Sequence, residues 1–368
     1  MGNSNKKMKK SSTKDTGKES QNDKENSKKD VVMLNIGKSV STKLSLKLVN
    51  QFYHTSNSDA IEAAIVHPDF NNAIFIACSS GNIKLVNDVC SSKIKKNFSN
   101  IKNLYNFSKN IYSFILLKKN GNQLCVGLDQ NIAILELNNK KKFDLKINLE
   151  CKDEGPIYSL LELENGNIVS AGKNIILWKK ISTTEYNKTD SIIRVEDSKI
   201  INLVEFPFFK TILATQENTH NLYLLKNEGD SISFLRKNEN VPSIWCKGSG
   251  QYCSKNCMLL VTKFEINVID AANGEIGSSY PCVDRGTLLN LTQKYEENDF
   301  WIVSDFMGTY LEFYEQEGND LIYFDKWEFD DNETIGWGNK LVRINDQTFV
   351  VINHFGKMFI FEIKKLQT

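Results

Sequence analysis

The side chains with most chemistry to offer in this sequence are its cysteines, its histidines and one Gly-Lys-Ser tripeptide. Cys246, Cys253, Cys257 and Cys282 lie close together along the chain, with Cys253 and Cys257 four residues apart. Zinc sites are built from paired Cys-x2–4-Cys knuckles. Here only one knuckle exists, and the other two cysteines fall on separate predicted strands. Free cysteine packs as a small hydrophobe, so no metal is expected. The four histidines, His54, His67, His220 and His354, are far apart in sequence and belong to no His-Glu-x-x-His pattern. Gly37-Lys38-Ser39 matches the end of a phosphate-binding loop, but Val32 stands where the first glycine of that loop belongs, and no helix is predicted to follow. Gly-x-Ser-x-Gly is absent, and no serine, histidine and acid are spaced as a triad. No catalytic, cofactor-binding or metal-ligating residue is assigned.

Composition narrows the choice further. Of 368 residues, 40% are hydrophobic and 25% charged, as in ordinary soluble domains, and the formal net charge is only +1. A balance so near zero gives no long-range pull toward nucleic acid. The other cysteines, at 78, 90, 125 and 151, also follow no repeated spacing. With no signal peptide and no long apolar run, they imply reduced thiols in the cytoplasm.

Residues 1–30 are dense in Lys, Ser, Asn, Asp and Glu, and a stretch so polar cannot offset the entropy of ordering itself. It is expected to be a disordered tail. From residue 31 onward, β-branched and aromatic residues alternate with polar ones, which is the strand signal.

An internal repeat then organises residues 31–368. Ile111-Tyr-Ser-Phe-Ile-Leu-Leu is echoed by Ile157-Tyr-Ser-Leu-Leu-Glu-Leu, and both run on through Asn-Gly-Asn to a strand ending in glycine, Gly127 or Gly172. Downstream, a short strand recurs with its first apolar residue at Ile83, Ile132, Ile175, Leu222, Ile266, Tyr310 and Met358. These are seven units of about 46 residues each, close to the length of one propeller blade. In the first unit the strands are expected at 61–66, 73–78 and 83–86, with a weaker fourth near 94–104. The fold expected is therefore all-β: a seven-bladed β-propeller of four-stranded antiparallel blades. The seventh unit lacks a fourth strand of its own. Residues 42–49, with alternating Leu44, Leu46 and Leu48, are expected to supply it and so close the ring.

The units resemble WD40 repeats. Ile65-Val-His-Pro-Asp-Phe is similar to the stretch that closes the first strand of such a repeat, and Leu203-Val-Glu-Phe-Pro-Phe places a proline at the same point. Val169-Ser-Ala-Gly followed by Ile175-Ile-Leu-Trp-Lys puts Trp178 in the family's tryptophan slot. Elsewhere that slot holds Val86, Leu135, Leu225, Ile269, Phe313 and Phe361, and its aspartate survives only as Asp270. The Gly-His dipeptide is absent, so apolar packing must replace the family's buried His–Asp network.

The resemblance implies a non-enzymatic scaffold that binds other proteins, as a monomeric subunit of a larger complex. A propeller enzyme of hydrolase or lyase type, with its site in the central channel, is the alternative. The histidines could converge only there. The five tryptophans, 178, 245, 301, 327 and 337, are expected mostly in the core. The loops that begin near Asp59, Asn110, Glu154, Lys199, Asn240, Arg285 and Glu333 mix both signs of charge, which argues against nucleic acid. Met1-Gly2 begins the myristoylation pattern, and Lys6, Lys7, Lys9 and Lys10 form a basic patch beside it. Lys6 occupies the position where that pattern wants Ser or Thr. Membrane contact is thus expected only through Gly2 and the tail, as a variant of the scaffold reading.

Overall fold

The middle strands of this chain are apolar on both faces. Ile74–Cys78, Cys257–Val261 and Thr348–Ile352 are buried at every position. A strand covered on one side only would alternate, as Phe143–Glu150 does with its outer face in solvent. Strands covered on both sides need a sheet on each side, and a ring of sheets supplies that arrangement.

The computed structural model describes residues 32–34, 43–53, 59–90 and 101–366, apart from 71, 120–122, 140, 153, 196–198, 245–246, 255, 285, 292–298, 306–308, 318–319, 330–339 and 355. The described residues hold only strands, arranged in seven sheets. Six are four-stranded antiparallel meanders, the seventh joins three strands from the end of the chain to two from its start, and together they form the seven-bladed propeller. The innermost strands are Ile61–Val66, Ser113–Leu117, Ser159–Glu162, Ile200–Phe206, Gly250–Tyr252, Gly286–Asn290 and Lys340–Asn345. Each neighbours the next around the ring, and the seventh neighbours the first.

Seven apolar clusters fill the seven spaces between blades. Alternate residues of one strand serve opposite neighbours. Ile168 packs toward the second blade and Val169 toward the fourth. The residues of the tryptophan slot are all buried, from Val86 to Phe361. Trp178 also donates its indole N–H to the Ser170 hydroxyl at 2.9 Å. Trp301 and Trp327 are buried too, while Trp245 and Trp337 lie outside the described residues.

The ring closes as the hydrophobic pattern predicts. Lys43–Tyr53 pairs antiparallel with Lys357–Leu366, the third strand of the seventh blade, with Leu46 opposite Ile363 and Phe52 opposite Met358. This strand extends beyond the expected 42–49. A fifth strand, Val32–Leu34, adds to its outer edge, and no alternation in the sequence announces it. The fourth strand of the first blade is Ile101–Asn106, later than the expected 94–104. The polar tail, Gly2 and Gly37-Lys38-Ser39 lie outside the described residues. No helix among the described residues is long and apolar enough to cross a membrane.

In a meander of four strands, the turns entering each blade and those between its second and third strands share one face. We call this the top. The turns between first and second strands, and between third and fourth, form the bottom.

Candidate functional site

At the top of the central channel, all seven blades contribute to a cavity of about 420 Å³. Among the described residues, its charged lining is Glu62 from the first blade, Lys247 from the fifth and Lys340 from the seventh. Tyr112 and Tyr158, the tyrosines of the two echoed Ile-Tyr-Ser segments, stand edge to face with ring centres 5.4 Å apart.

Lys247 reaches across this cavity because its turn is clamped on two sides. The Asn202 carboxamide accepts from the Gly248 N–H at 2.8 Å and donates to the Ser249 hydroxyl at 3.0 Å. From the sixth blade, the Leu288 N–H donates to the Gly248 carbonyl. Gly248 has φ +79°, a conformation that glycine adopts without strain. Thus fixed, the Lys247 ammonium donates to the Tyr112 carbonyl at 2.5 Å and lies 3.5 Å from Glu62 Oε2. Burial lowers its pKa to about 8, and the attraction of Glu62 recovers only part of that loss.

Further charges ring the mouth. Lys199 lies over the Tyr158 ring at 4.7 Å and pairs with Glu217 at 3.3 Å. His354, on the last top turn, has its pKa lowered by burial, raised by Glu62 and lowered by Lys340. None of the described histidines lines the cavity, and His354 sits on the neighbouring top turn, its carbonyl accepting from the Ile61 N–H. His67 is buried against Phe70 and Phe75, and His220 bonds the Val241 carbonyl at 2.8 Å. His54 lies outside the described residues.

The top face also carries Phe264, the second residue of the fifth blade's third strand, Lys263–Asp270, beside the tight connection at Thr262. Its φ is +69° and it is 53% exposed, with the Lys263 ammonium 5.4 Å from the ring centre. A bulky residue at positive φ is strained.

The cysteine knuckle sits on the bottom face, away from these groups. Cys253 and Cys257 meet across a hairpin with their sulfurs 2.8 Å apart. The hydrogen bond from Cys253 pulls the Cys257 thiol down to about 7, and the same bond raises Cys253. Cys282 packs half-buried against the same apolar cluster, and Cys246 lies outside the described residues. Among the described residues, no three His, Cys, Asp or Glu side chains gather as a metal site.

Sequence reasoning passed over Lys247, Glu62 and Lys340, since each is a single residue with no motif around it. The repeated Ile-Tyr-Ser could have pointed to the channel, because it marks where two innermost strands begin. A scan against known protein families finds no match, and neither does a search of curated proteins.

Proposed function

We propose that this chain is a non-enzymatic interaction scaffold of the WD40-like kind, which presents the top face of a rigid ring to other proteins in the cytoplasm. Phe264 carries the reading. A half-exposed aromatic held at positive φ costs roughly 1–3 kcal/mol of strain, and such residues cluster at functional sites. An exposed aromatic beside a cation is also what protein interfaces are enriched in. The resemblance to WD40 repeats draws support from Trp178 and its hydroxyl partner.

The test is Phe264→Gly, compared with the natural chain by affinity isolation from its own cells. Glycine relieves the strain, so the variant should melt no lower while its partners are lost. Partner recovery equal to that of the natural chain would refute this assignment of the face.

One observation favours a channel enzyme as the second reading. Glu62 and Lys247 meet at one end of the channel, and a lysine near pKa 8 can act as a base near neutral pH. Turnover of ester or glycoside substrates, lost in Lys247→Met, would establish it. Its absence would favour the scaffold.

A further inference from the structure

The hairpin at the bottom of the fifth blade holds two thiols in the geometry from which a disulfide forms. Its strands, Gly250–Tyr252 and Cys257–Val261, pair with Gly250 opposite Leu260, Gln251 opposite Leu259 and Tyr252 opposite Met258. One step further along, the same register sets Cys253 opposite Cys257, and the Cys253 N–H donates to the Cys257 carbonyl at 3.2 Å. Opposed residues on antiparallel strands share a face, with Cα atoms about 4.5–5.5 Å apart. A disulfide spans roughly 4.4–6.8 Å between Cα atoms. The sulfurs are already 2.8 Å apart, so less than about 1 Å of closure by side-chain rotation completes a bond of roughly 2.05 Å.

The two sulfurs are not equivalent. Cys257 receives the Cys253 thiol at 2.8 Å, and the Ser254 hydroxyl lies 3.1 Å from the same sulfur. Both contacts favour a thiolate at Cys257 and pull its pKa down to about 7 against the effect of burial. The thiolate is the nucleophilic form of cysteine. Cys78 and Cys151, buried elsewhere in the ring, go the other way, to about 12, because burial penalises their charged form. Cys125 is raised for the same reason. The hairpin also turns toward solvent: Asn256 is exposed, Ser254 half-buried, and Cys257 is 6% exposed against 1% for Cys253. A small oxidant meets Cys257 first.

We propose that Cys253 and Cys257 form a reversible thiol–disulfide site whose oxidant is a hydroperoxide, with Cys257 as the attacking sulfur and Cys253 as the resolving one. The Cys257 sulfur attacks the terminal oxygen of the hydroperoxide and the O–O bond breaks. The proton of the Cys257 thiol passes to the departing oxygen, which leaves as an alcohol (as water, for hydrogen peroxide). Cys257 is then a sulfenic acid, S–OH. The Cys253 sulfur gives up its proton and attacks the Cys257 sulfur. The S–S bond forms, the S–O bond breaks, and hydroxide takes that proton and leaves as water. The two thiols lose two electrons, and the hydroperoxide gains them. A dithiol reductant restores the pair by exchange through a mixed disulfide. The site lies on the face opposite Phe264 and stands whether or not the scaffold reading holds.

The full chain, reduced and then freed of reductant, is treated with hydrogen peroxide, blocked with iodoacetamide and digested with trypsin under non-reducing conditions. Trypsin cuts after Lys255, between the two cysteines, so their disulfide appears in mass spectrometry as two joined peptides. This pair should form at least about tenfold faster than Cys78, Cys125 or Cys151 loses its thiol. Dithiothreitol should restore both thiols. Cys253→Ser should yield no joined peptides and leave a sulfenic acid at Cys257 that dimedone traps, whereas Cys257→Ser should yield neither. If either variant does not fold, the joined peptides and the relative rates in the natural chain decide the matter. Thiols at Cys253 and Cys257 that survive peroxide as long as Cys125 does, or a Cys257 linked to Cys282 instead of Cys253, overturn the proposal.

Discussion

Leu48 lies directly opposite Phe361, so a residue near one end of the chain is the lateral partner of a residue near the other. Leu48 packs, half-buried, on the cluster between the sixth and seventh blades, of which Phe361 is a fully buried member. The seventh blade is therefore closed by strand pairing and by a shared core.

A chain that begins at Ser56 lacks this strand and exposes the edge of Lys357–Leu366. Burying a leucine fully is worth roughly 1.5–3 kcal/mol, and about half of that when half-covered. Lost strand pairing adds to this, against a total margin of about 5–15 kcal/mol. The truncated chain should melt well below one that begins at Val31, or aggregate. Equal melting temperatures would show that the pairing contributes nothing to closure.

Gly127→Ala should destabilise the ring by roughly 1–3 kcal/mol, the cost of overpacking. An added methyl at Gly127 would meet the Ser113 hydroxyl at 2.1 Å and the Ile157 carbonyl at 2.6 Å. These are the two groups that join the second and third blades through a 2.7 Å hydrogen bond. Denaturant unfolding measures the loss, and Gly155→Ala, with open space around it but φ +66°, separates steric clash from backbone strain.

Stability should fall as pH rises from 4.5 to 7 by way of Glu205. Burial raises its pKa from 4.5 to about 7, despite bonds from the Glu164 N–H and the Asn227 amide. Below 4.5 the group is protonated both folded and unfolded. Between the two values the folded chain keeps a proton that the unfolded chain has lost, so its contribution fades and is gone above 7. Glu205→Gln should flatten this slope, which spans about 1–3 kcal/mol once solvent screening is allowed for. A slope identical to that of the natural chain would contradict the assignment.

Purified protein should hold no stoichiometric zinc at Cys253 and Cys257. Two thiolates on one tetrahedral zinc stand roughly 3.8 Å apart, whereas these sulfurs are 2.8 Å apart and closed around by buried side chains. Elemental analysis that finds one zinc per chain, lost in Cys253→Ser, would overturn this.

The fold was legible because the repeated third strand always puts a buried residue in the tryptophan slot, whichever apolar residue fills it. Gly127 and Gly172 were visible as the ends of two echoed strands, and their reason is now physical. At Gly172 an added methyl would meet the Pro156 carbonyl at 2.7 Å, so backbone passes too close for any side chain. Val32–Leu34 was not legible, since three residues are too few to show a period of two. The channel mouth was hidden for another reason. Glu62, Lys247, Thr287 and Lys340 come from four blades, and only ring closure brings them together.

Crosslinking mass spectrometry on the chain isolated with its partners tests the scaffold reading most directly, because exposed lysines mark both faces. Lys109, Lys173 and Lys199 lie on top turns and Lys263 at the top end of a strand, and Lys118, Lys141 and Lys210 lie on bottom turns. The top-face reading predicts that links to partner proteins concentrate on the first group and weaken there in Phe264→Gly. Links concentrated on the bottom lysines, or an isolate that contains no partner, would contradict it.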